Sequence, residues 1–590
     1  MKRWAAACLA LALLAVIAIR FAEPILDSDL FWHMAYAKQM LASHTLIPDH
    51  TIYSWTPTSN NAIYCAWASE MFLYWLWEHL GMASLFVLRY LCVLAIMALL
   101  WNYARRRALA SQPIAWLILI AVLLGSVAGT VLKPEIFSLL IFNVLVWAFF
   151  QWKVDGQLRW LYAMPLLMVL WVNAHGAFIL AAPFFVATFA GEALNRRLTR
   201  PMIVSWALCS LAVLVTPYGW RYPSELIRLL RMPRPDIAWN DAHQSIFASS
   251  AASLHFIDLG VLMAAILLLA ALRSRHLDWS ILLLNLAYVP LFMVYLRTTF
   301  FWPAIFGYSV LYLATHPPTP TTKPSNRAAT VRKRFSKAAN AAAILLFLFL
   351  ATRATLDAYR NPWYGSWLGF GIGYINPVTE SEFLASSNLG PRLYNMFDSG
   401  GYLLWRLHPQ YQVMTDARSF PYLAWFDDQY QFSLGRSFDD FVRRYPADVA
   451  VIDLLHKATW RNFLASPDWR PVFYGPTSAV FAKRNAPFPL QPKAATGDLR
   501  NARTAFLVFD FAMAIGDFPT VWSVLNHIET KLARQASTED LEAARAYREG
   551  HRALRAGDWD RARLKFDKAF RNKYVPEREQ LIRTFLASIE

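Results

Sequence analysis

Residues 1–33 read MKRWAAACLALALLAVIAIRFAEPILDSDLFWH, and this stretch decides the fold. Lys2 and Arg3 precede an uncharged run from Ala5 to Ile19, after which the chain turns acidic at Glu23, Asp27 and Asp29. A bilayer core takes about 20 apolar residues per helix, so the run reads as a first spanning helix near 5–22. Basic residues concentrate on the cytoplasmic side of such helices. That rule places the N-terminus inside and the acidic loop outside. A signal peptide is the rival reading. However, Arg20-Phe21-Ala22-Glu23-Pro24 makes a poor small-residue cleavage site, and an uncleaved first helix is expected.

The rest of the chain extends the pattern. Of 590 residues, 57% are hydrophobic and 16% charged, too apolar a balance for a soluble chain of this length. Further spans are expected near 84–102, 112–132, 134–150, 158–173, 175–191, 201–216, 257–273, 279–296, 299–315 and 339–355, about eleven in all. With the N-terminus inside, the loops at 103–111, 151–158, 192–200, 274–278 and 316–338 become cytoplasmic. These loops hold Arg105 to Arg107, Arg196, Arg197, Arg200, Arg332 to Arg334 and Lys337, so charge bias and hydropathy agree. The net charge of +17 is therefore spread over short loops. It does not form the continuous basic face of a nucleic-acid binder, and that class is excluded. Trp and Tyr, 25 of each, suit the interfacial belts of a membrane protein. Of four cysteines, Cys8, Cys92 and Cys209 fall in spans, which leaves Cys65 alone outside and no disulfide framework.

Three regions follow: a transmembrane module over 1–355, an external α/β domain over 356–490, and a helical region over 491–590. Loop 23–83 is too long to be a mere connector. Within it Asp29 to Leu41 and Trp67 to Leu80 read as amphipathic helices lying along the membrane surface. In the external domain, short apolar runs at 392–397, 412–416, 449–454, 471–474 and 479–482 read as strands between helical runs. No Gly-rich phosphate loop accompanies them. From about 497 the chain turns helical. Gly550, Ala562, Phe566 and Ala569 stand at tetratricopeptide-like spacing with Pro576 near the end, and Gly516-Asp517 echoes Gly557-Asp558. A plain helical hairpin accounts for the pattern equally well.

Chemistry concentrates where the first helix leaves the membrane. Asp27 and Asp29, with His33 four residues beyond, are the residue types that hold a hard divalent cation such as Mg²⁺ or Mn²⁺. Such an ion would clamp a phosphate. Alternatively one carboxylate would serve as general base. The bland alternative is that both residues cap the following helix. Their position at the membrane–water boundary weighs toward function.

Asp27-Ser28-Asp29 after the first helix, a long external loop with amphipathic helices, and a polytopic bundle together resemble the GT-C superfamily of membrane glycosyltransferases. These enzymes use polyprenyl-phosphate-linked sugars. More narrowly, the chain resembles a group of bacterial multispanning proteins with a C-terminal external domain. The matching segments, in order over residues 1–485, are Leu30-Phe31-Trp32-His33, Ile47-Pro48, Tyr53-Ser54, Trp67 with Glu70, Asn173-Ala174-His175-Gly176, Pro217-Tyr218-Gly219, Leu296-Arg297, Gly400-Gly401-Tyr402 and Asp416-Ala417-Arg418. Departures stand at Thr51, where the group has Asp (Asp49 is nearby), and at Ser69 and Thr216. They extend to Ala238 before Trp239, where Asp236 or Asp241 would have to substitute.

The resemblance implies a GT-C-like fold with about eleven spanning helices. The expected catalytic residues are Asp27, Asp29, Glu70 and His175, with His33, Trp32, Asn173, Arg297, Arg228 and Arg231 contacting substrate and Asp27 and Asp29 holding any metal. The donor would be a lipid-linked sugar and the acceptor a glycan, lipid or protein. Each candidate has a plainer reading. His175 would be structural at a helix turn, Arg297 would snorkel to the interface, Lys133 and Glu135 would be an ion pair, and Asp416 and Arg418 would be partners within the external domain. The location implied is a bacterial inner membrane, with the C-terminal domain periplasmic. A transporter, flippase or repeat-bearing scaffold is the non-enzymatic alternative. A transporter would show two related halves, and the polar residues here gather at one face instead.

Overall fold

The computed structural model describes residues 3–60, 63–231, 245–248, 251–274, 277–315, 326–360, 368–497 and 499–570. Arg234, Asp236, Ala238, Trp239, Asp241 and Pro576 lie outside the described residues. Contacts divide the chain into two compact units. The first holds 1–23, 32–50 and 59–357, and the second holds 24–31, 51–58 and 358–590. Residues 358–490 and 491–590 thus share one unit, and the first loop is divided between the two.

The first unit is helical. Each of the eleven runs read from the sequence is helix, but only six described helices are long and apolar enough to cross a membrane: Arg3–Arg20, Ala83–Arg106, Glu135–Asp155, Gly176–Leu194, His255–Arg273 and Ser336–Tyr359. Pro113–Gly125, Leu158–Ala174, Arg200–Leu214, Trp279–Val294 and Phe301–Ala314 are shorter apolar helices. Leucines and valines stand exposed along these elements, among them Leu11, Leu91, Leu166, Val186, Leu269 and Leu345. So much exposed aliphatic surface would be costly in water and is natural against lipid. Inside, Phe142 packs its ring against Trp171, Phe184, Tyr288 and Phe301.

Two devices fix helix placement. Gly191 lets its helix approach the start of Trp279–Val294 closely, since an added Cβ would fall 2.2 Å from the Ser280 Cα. Beside it the buried Lys153 ammonium pairs with Glu192 and with Asp278 (2.9 Å) and donates to Ser280. The charge is thus fully partnered where burial would otherwise expel it. Arg89, buried in Ala83–Arg106, donates to the carbonyls of Phe21 and Glu23, just past the end of the first helix. A cation there satisfies carbonyls that have no helical partner.

The second unit is built on a six-stranded sheet with order β2-β1-β3-β5-β4-β6. The strands are β1 (Arg392–Asn395), β2 (Gln412–Val413), β3 (Val449–Asp453), β4 (Trp469–Tyr474), β5 (Ser478–Lys483) and β6 (Lys493–Ala494). β1 runs parallel to β2 and β3, while β5 is antiparallel to β3 and β4. All five residues of β3 are buried, the apolar run Val449 to Ile452 and the terminal Asp453 alike. Segment 51–58 continues the sheet past β2: Ser54 bridges Val413, and Val413 and Trp55 exchange backbone bonds with Tyr53 and Val413. Ser54 and Thr56 hydroxyls both donate to the Met414 carbonyl.

Two helical hairpins, Ala502–Ala514 with Phe518–Lys531 and Thr538–Arg555 with Trp559–Phe570, complete the unit. Their turns are the same turn. Gly516 and Gly557 each sit at φ 73°, and the Asp after each caps the next helix, Asp517 at Thr520 and Asp558 at Arg561. The two glycines are 557 − 516 = 41 residues apart. A tetratricopeptide unit is about 34 residues long, so the echo read from the sequence is a repeated turn chemistry at a different period.

Candidate active site

In the first unit the loop helices bring His33 and Glu70 together. His33 Nδ1 lies 2.7 Å from Glu70 Oε1, and both side chains are buried. Trp32 lies over the imidazole at 3.5 Å between centroids, and Tyr64 approaches at 5.7 Å. Burial drives the Glu70 carboxyl well above the usual carboxylate range. Burial, then the electrostatic influence of the nearby His175 and Lys133, holds the His33 imidazole well below its ordinary value. Both shifts favour the neutral forms, so the pair holds one proton between an uncharged ring and an uncharged acid. Lys133, Glu135 and His175 all act on His33, so the sequence-distant candidates share one electrostatic neighbourhood.

His175 ends the helix Leu158–Ala174 in an extended conformation and opens the 3-10 turn Gly176–Leu180. Its Nδ1 is 2.8 Å from the buried Ser138 Oγ, which also accepts the Trp171 indole N–H at 2.7 Å. Two residues earlier, Asn173 donates to the carbonyls of Val169 and Val215 and accepts from Trp67 Nε1 at 2.7 Å. Its amide thus ties the loop helix Trp67–Leu80 to Leu158–Ala174. Glu135 Oε1 accepts from two guanidinium nitrogens of Arg297, Nε and Nη2, and Lys133 Nζ stands 3.5 Å from its other oxygen. Two cations around one carboxylate leave a net charge of +1.

The acidic pair belongs to the second unit. Asp27 Oδ1 accepts the Asp29 backbone N–H at 2.9 Å, a cap at the start of Asp29–Ser43. Both side chains are partly exposed. The segment carrying them is held by Asn376, which donates to the carbonyls of Ile25 and Leu26, and by the edge of Phe31 on Tyr402. Gly401 permits this seating, because a Cβ there would fall 2.4 Å from the Ser28 carbonyl oxygen. Among the described residues no group of three or more His, Cys, Asp and Glu stands together at metal-binding distance.

Arg228 pairs with Glu225, three residues back on its own helix Arg221–Arg231, and Arg231 is exposed at that helix's end. Asp416 and Arg418 form a fully buried pair with two parallel bonds, 2.7 and 2.6 Å, to which Tyr422 adds its hydroxyl. Here the structural reading is the one realised. Ser138, Trp171 and His50 were not singled out from the sequence, although His50 is buried and bonded to Tyr36. A serine within an otherwise apolar span was the available signal, since polar groups at such depth face the protein interior.

No protein-family model matches the sequence, and no curated protein sequence matches it. Among solved structures the chain matches ArnT from Cupriavidus metallidurans bound to undecaprenyl phosphate, with a TM-score of 0.50 at 13% identity, covering 83% of this chain and 99% of that one. ArnT from the same organism in the apo state gives 0.47 at 14% identity, over 81% and 97%. The mycobacterial arabinofuranosyltransferase AftD gives 0.46 at 15%, over 82% of this chain and 40% of that one. The fold is therefore similar to that of ArnT.

Proposed function

We propose that this chain is a membrane glycosyltransferase that takes a sugar from a polyprenyl phosphate or diphosphate and passes it to an acceptor on the external face of a bacterial inner membrane. The observation that carries the reading is the buried polar array of His33, Glu70, His175 and Glu135, with the partly exposed Lys133 and Arg297 paired to Glu135, within one helical unit. Burying so many ionisable groups in an apolar bundle is expensive, and such groups mark functional sites by default. The fold shared with a protein crystallised on undecaprenyl phosphate supports a lipid-linked donor.

In this reading the Lys133–Glu135–Arg297 group, one positive charge in excess, faces the donor phosphate. The acceptor oxygen bonds to the anomeric carbon, and the bond from that carbon to the phosphate oxygen breaks with its electron pair going to the phosphate. The hydroxyl proton passes to a carboxylate. The base in this reading is Asp27 or Asp29. Asp27 and Asp29 are also the residues that would hold a divalent cation such as Mg²⁺ or Mn²⁺. The external domain and its helical hairpins receive the acceptor, whether glycan, lipid or protein.

In membranes containing the purified protein, radiolabel is expected to move from a polyprenyl-linked sugar to an acceptor. Asp27→Asn or Asp29→Asn should lower the rate about 100-fold at normal expression. Wild-type rates in both variants would remove the acidic pair from the mechanism. Absence of transfer with every polyprenyl-linked donor would favour the scaffold or transporter reading.

A further inference from the structure

The buried hydroxyl of Ser138 has one proton to place, and its surroundings decide where it goes. A buried O–H almost always finds an acceptor. The Trp171 indole nitrogen can only donate, so at 2.7 Å it occupies a lone pair of Ser138 Oγ. Among the described residues the one acceptor within reach of the Ser138 proton is His175 Nδ1, at 2.8 Å. Nδ1 therefore accepts, and in the neutral ring the proton must sit on Nε2.

We infer that Trp171 and Ser138 form a fixed relay that holds His175 as the Nε2–H tautomer, making His175 a neutral hydrogen-bond donor to an oxygen of the donor's phosphate rather than a base. The ligand half of this inference rests on the glycosyltransferase reading, whereas the tautomer half does not. Nε2 makes no hydrogen bond to any described residue, which leaves its proton available to an incoming group. A ring nitrogen that already carries a proton cannot take one from an acceptor hydroxyl, so a basic role at Nε2 is excluded. Ser138 and Trp171 are positioning residues that act through His175. Their arrangement follows from the fold: Ser138 lies on Glu135–Asp155, and Trp171 and His175 are one helical turn apart at the end of Leu158–Ala174.

The test is nitrogen-15 magnetic resonance of the full chain, labelled at its 13 histidines and reconstituted in lipid at pH 7. The His175 resonances are assigned by their loss in His175→Gln. A neutral ring protonated at Nε2 is expected, with the Nε2 resonance shifting when undecaprenyl phosphate is added. Ser138→Ala should release the ring to a mixture of tautomers, and Ser138→Thr, which keeps the hydroxyl, should restore the single form. In transfer assays His175→Gln, whose amide N–H stands near the Nε2 position, should stay within about 10-fold of wild type. His175→Leu should lose about 100-fold, as when one charge-stabilising donor is removed. A ring protonated at Nδ1 or at both nitrogens would overturn the relay. An Nε2 signal indifferent to undecaprenyl phosphate would overturn the ligand assignment. Failure of the transferase reading alone would appear as absent transfer with the tautomer intact.

Discussion

Replacing Glu70 with Gln tests the claim that the His33–Glu70 pair shares one proton while buried. In the unfolded chain Glu70 ionises near 4.5, whereas in the fold burial raises its carboxyl well above that value. Across the window between those two values the folded protein holds a proton that the unfolded chain has released. Stability then falls as pH rises, by about 1.4 kcal/mol per pH unit. Gln preserves the hydrogen bond to His33 Nδ1 without titrating, so the variant lacks this slope. Both proteins share the opposite contribution of His33, whose lowered folded value costs stability as pH drops below 6.5. The difference in unfolding free energy, wild type minus Glu70→Gln, isolates Glu70. It should fall as pH rises above about 5, at up to about 1.4 kcal/mol per pH unit, with Gln gaining on wild type toward the alkaline end. Reversible unfolding in mixed micelles at stepped pH measures it. A flat difference would mean that Glu70 is ionised in the fold, and the neutral-pair argument would fail.

Asp453, at the end of β3, is pushed up to about 8 by burial. Between pH 4 and 8 Asp453→Asn should therefore gain on wild type by about 1.4 kcal/mol per pH unit, read in the same unfolding series. Gly401→Ala places a Cβ 2.4 Å from the Ser28 carbonyl oxygen, and backbone cannot yield cheaply. A loss of about 1–3 kcal/mol and faster proteolysis near residues 24–31 are expected, and wild-type behaviour in both would refute the close seating. Arg418→Met strands the buried Asp416 carboxylate and should cost about 3–5 kcal/mol. Adding Asp416→Asn should recover most of that loss, and simple additivity of the two changes would contradict a buried pair.

Membrane character, the helical runs and the strands were legible because each has its own period in the sequence. Apolar stretches of bilayer length announce helices, and β3 announces itself as a run too apolar for any edge. The division of the first loop was not legible. Tyr53, Ser54 and Thr56 join the sheet beside Val413 and Met414, about 360 residues away. No local pattern encodes a partner that distant. The count of crossings was also beyond the sequence. Pro113–Gly125 is helical and apolar but has 13 residues, and length rather than hydropathy separates it from the six longer helices. Within the site, His33 and Glu70 were visible as residue types, but their pairing across 37 positions was not. Ser138 escaped notice because one hydroxyl barely alters the hydropathy of an apolar helix.

An ordered set of family-like segments does not amount to an active site, and the structure separates the two. Gly400 and Gly401 are explained by contact distance. A Cβ on Gly400 would fall 2.1 Å from the Thr415 carbonyl oxygen, and one on Gly401 would strike Ser28. Tyr53, whose ring lies 5.4 Å from the Arg418 guanidinium, and Asp416 with Arg418 are explained by packing around a buried ion pair. Asn173 is explained by the two elements it ties together. Each of these would persist in a relative that had lost its chemistry. The same cannot be said of His33, Glu70, His175, Glu135 and Arg297. A hydrophobic bundle gains nothing from burying an acid and a base in neutral form, since well-packed apolar side chains would serve it as well or better. The residues that stability does not explain are the ones that a function must explain. For that reason the chemistry is assigned to this array rather than to the motif list as a whole.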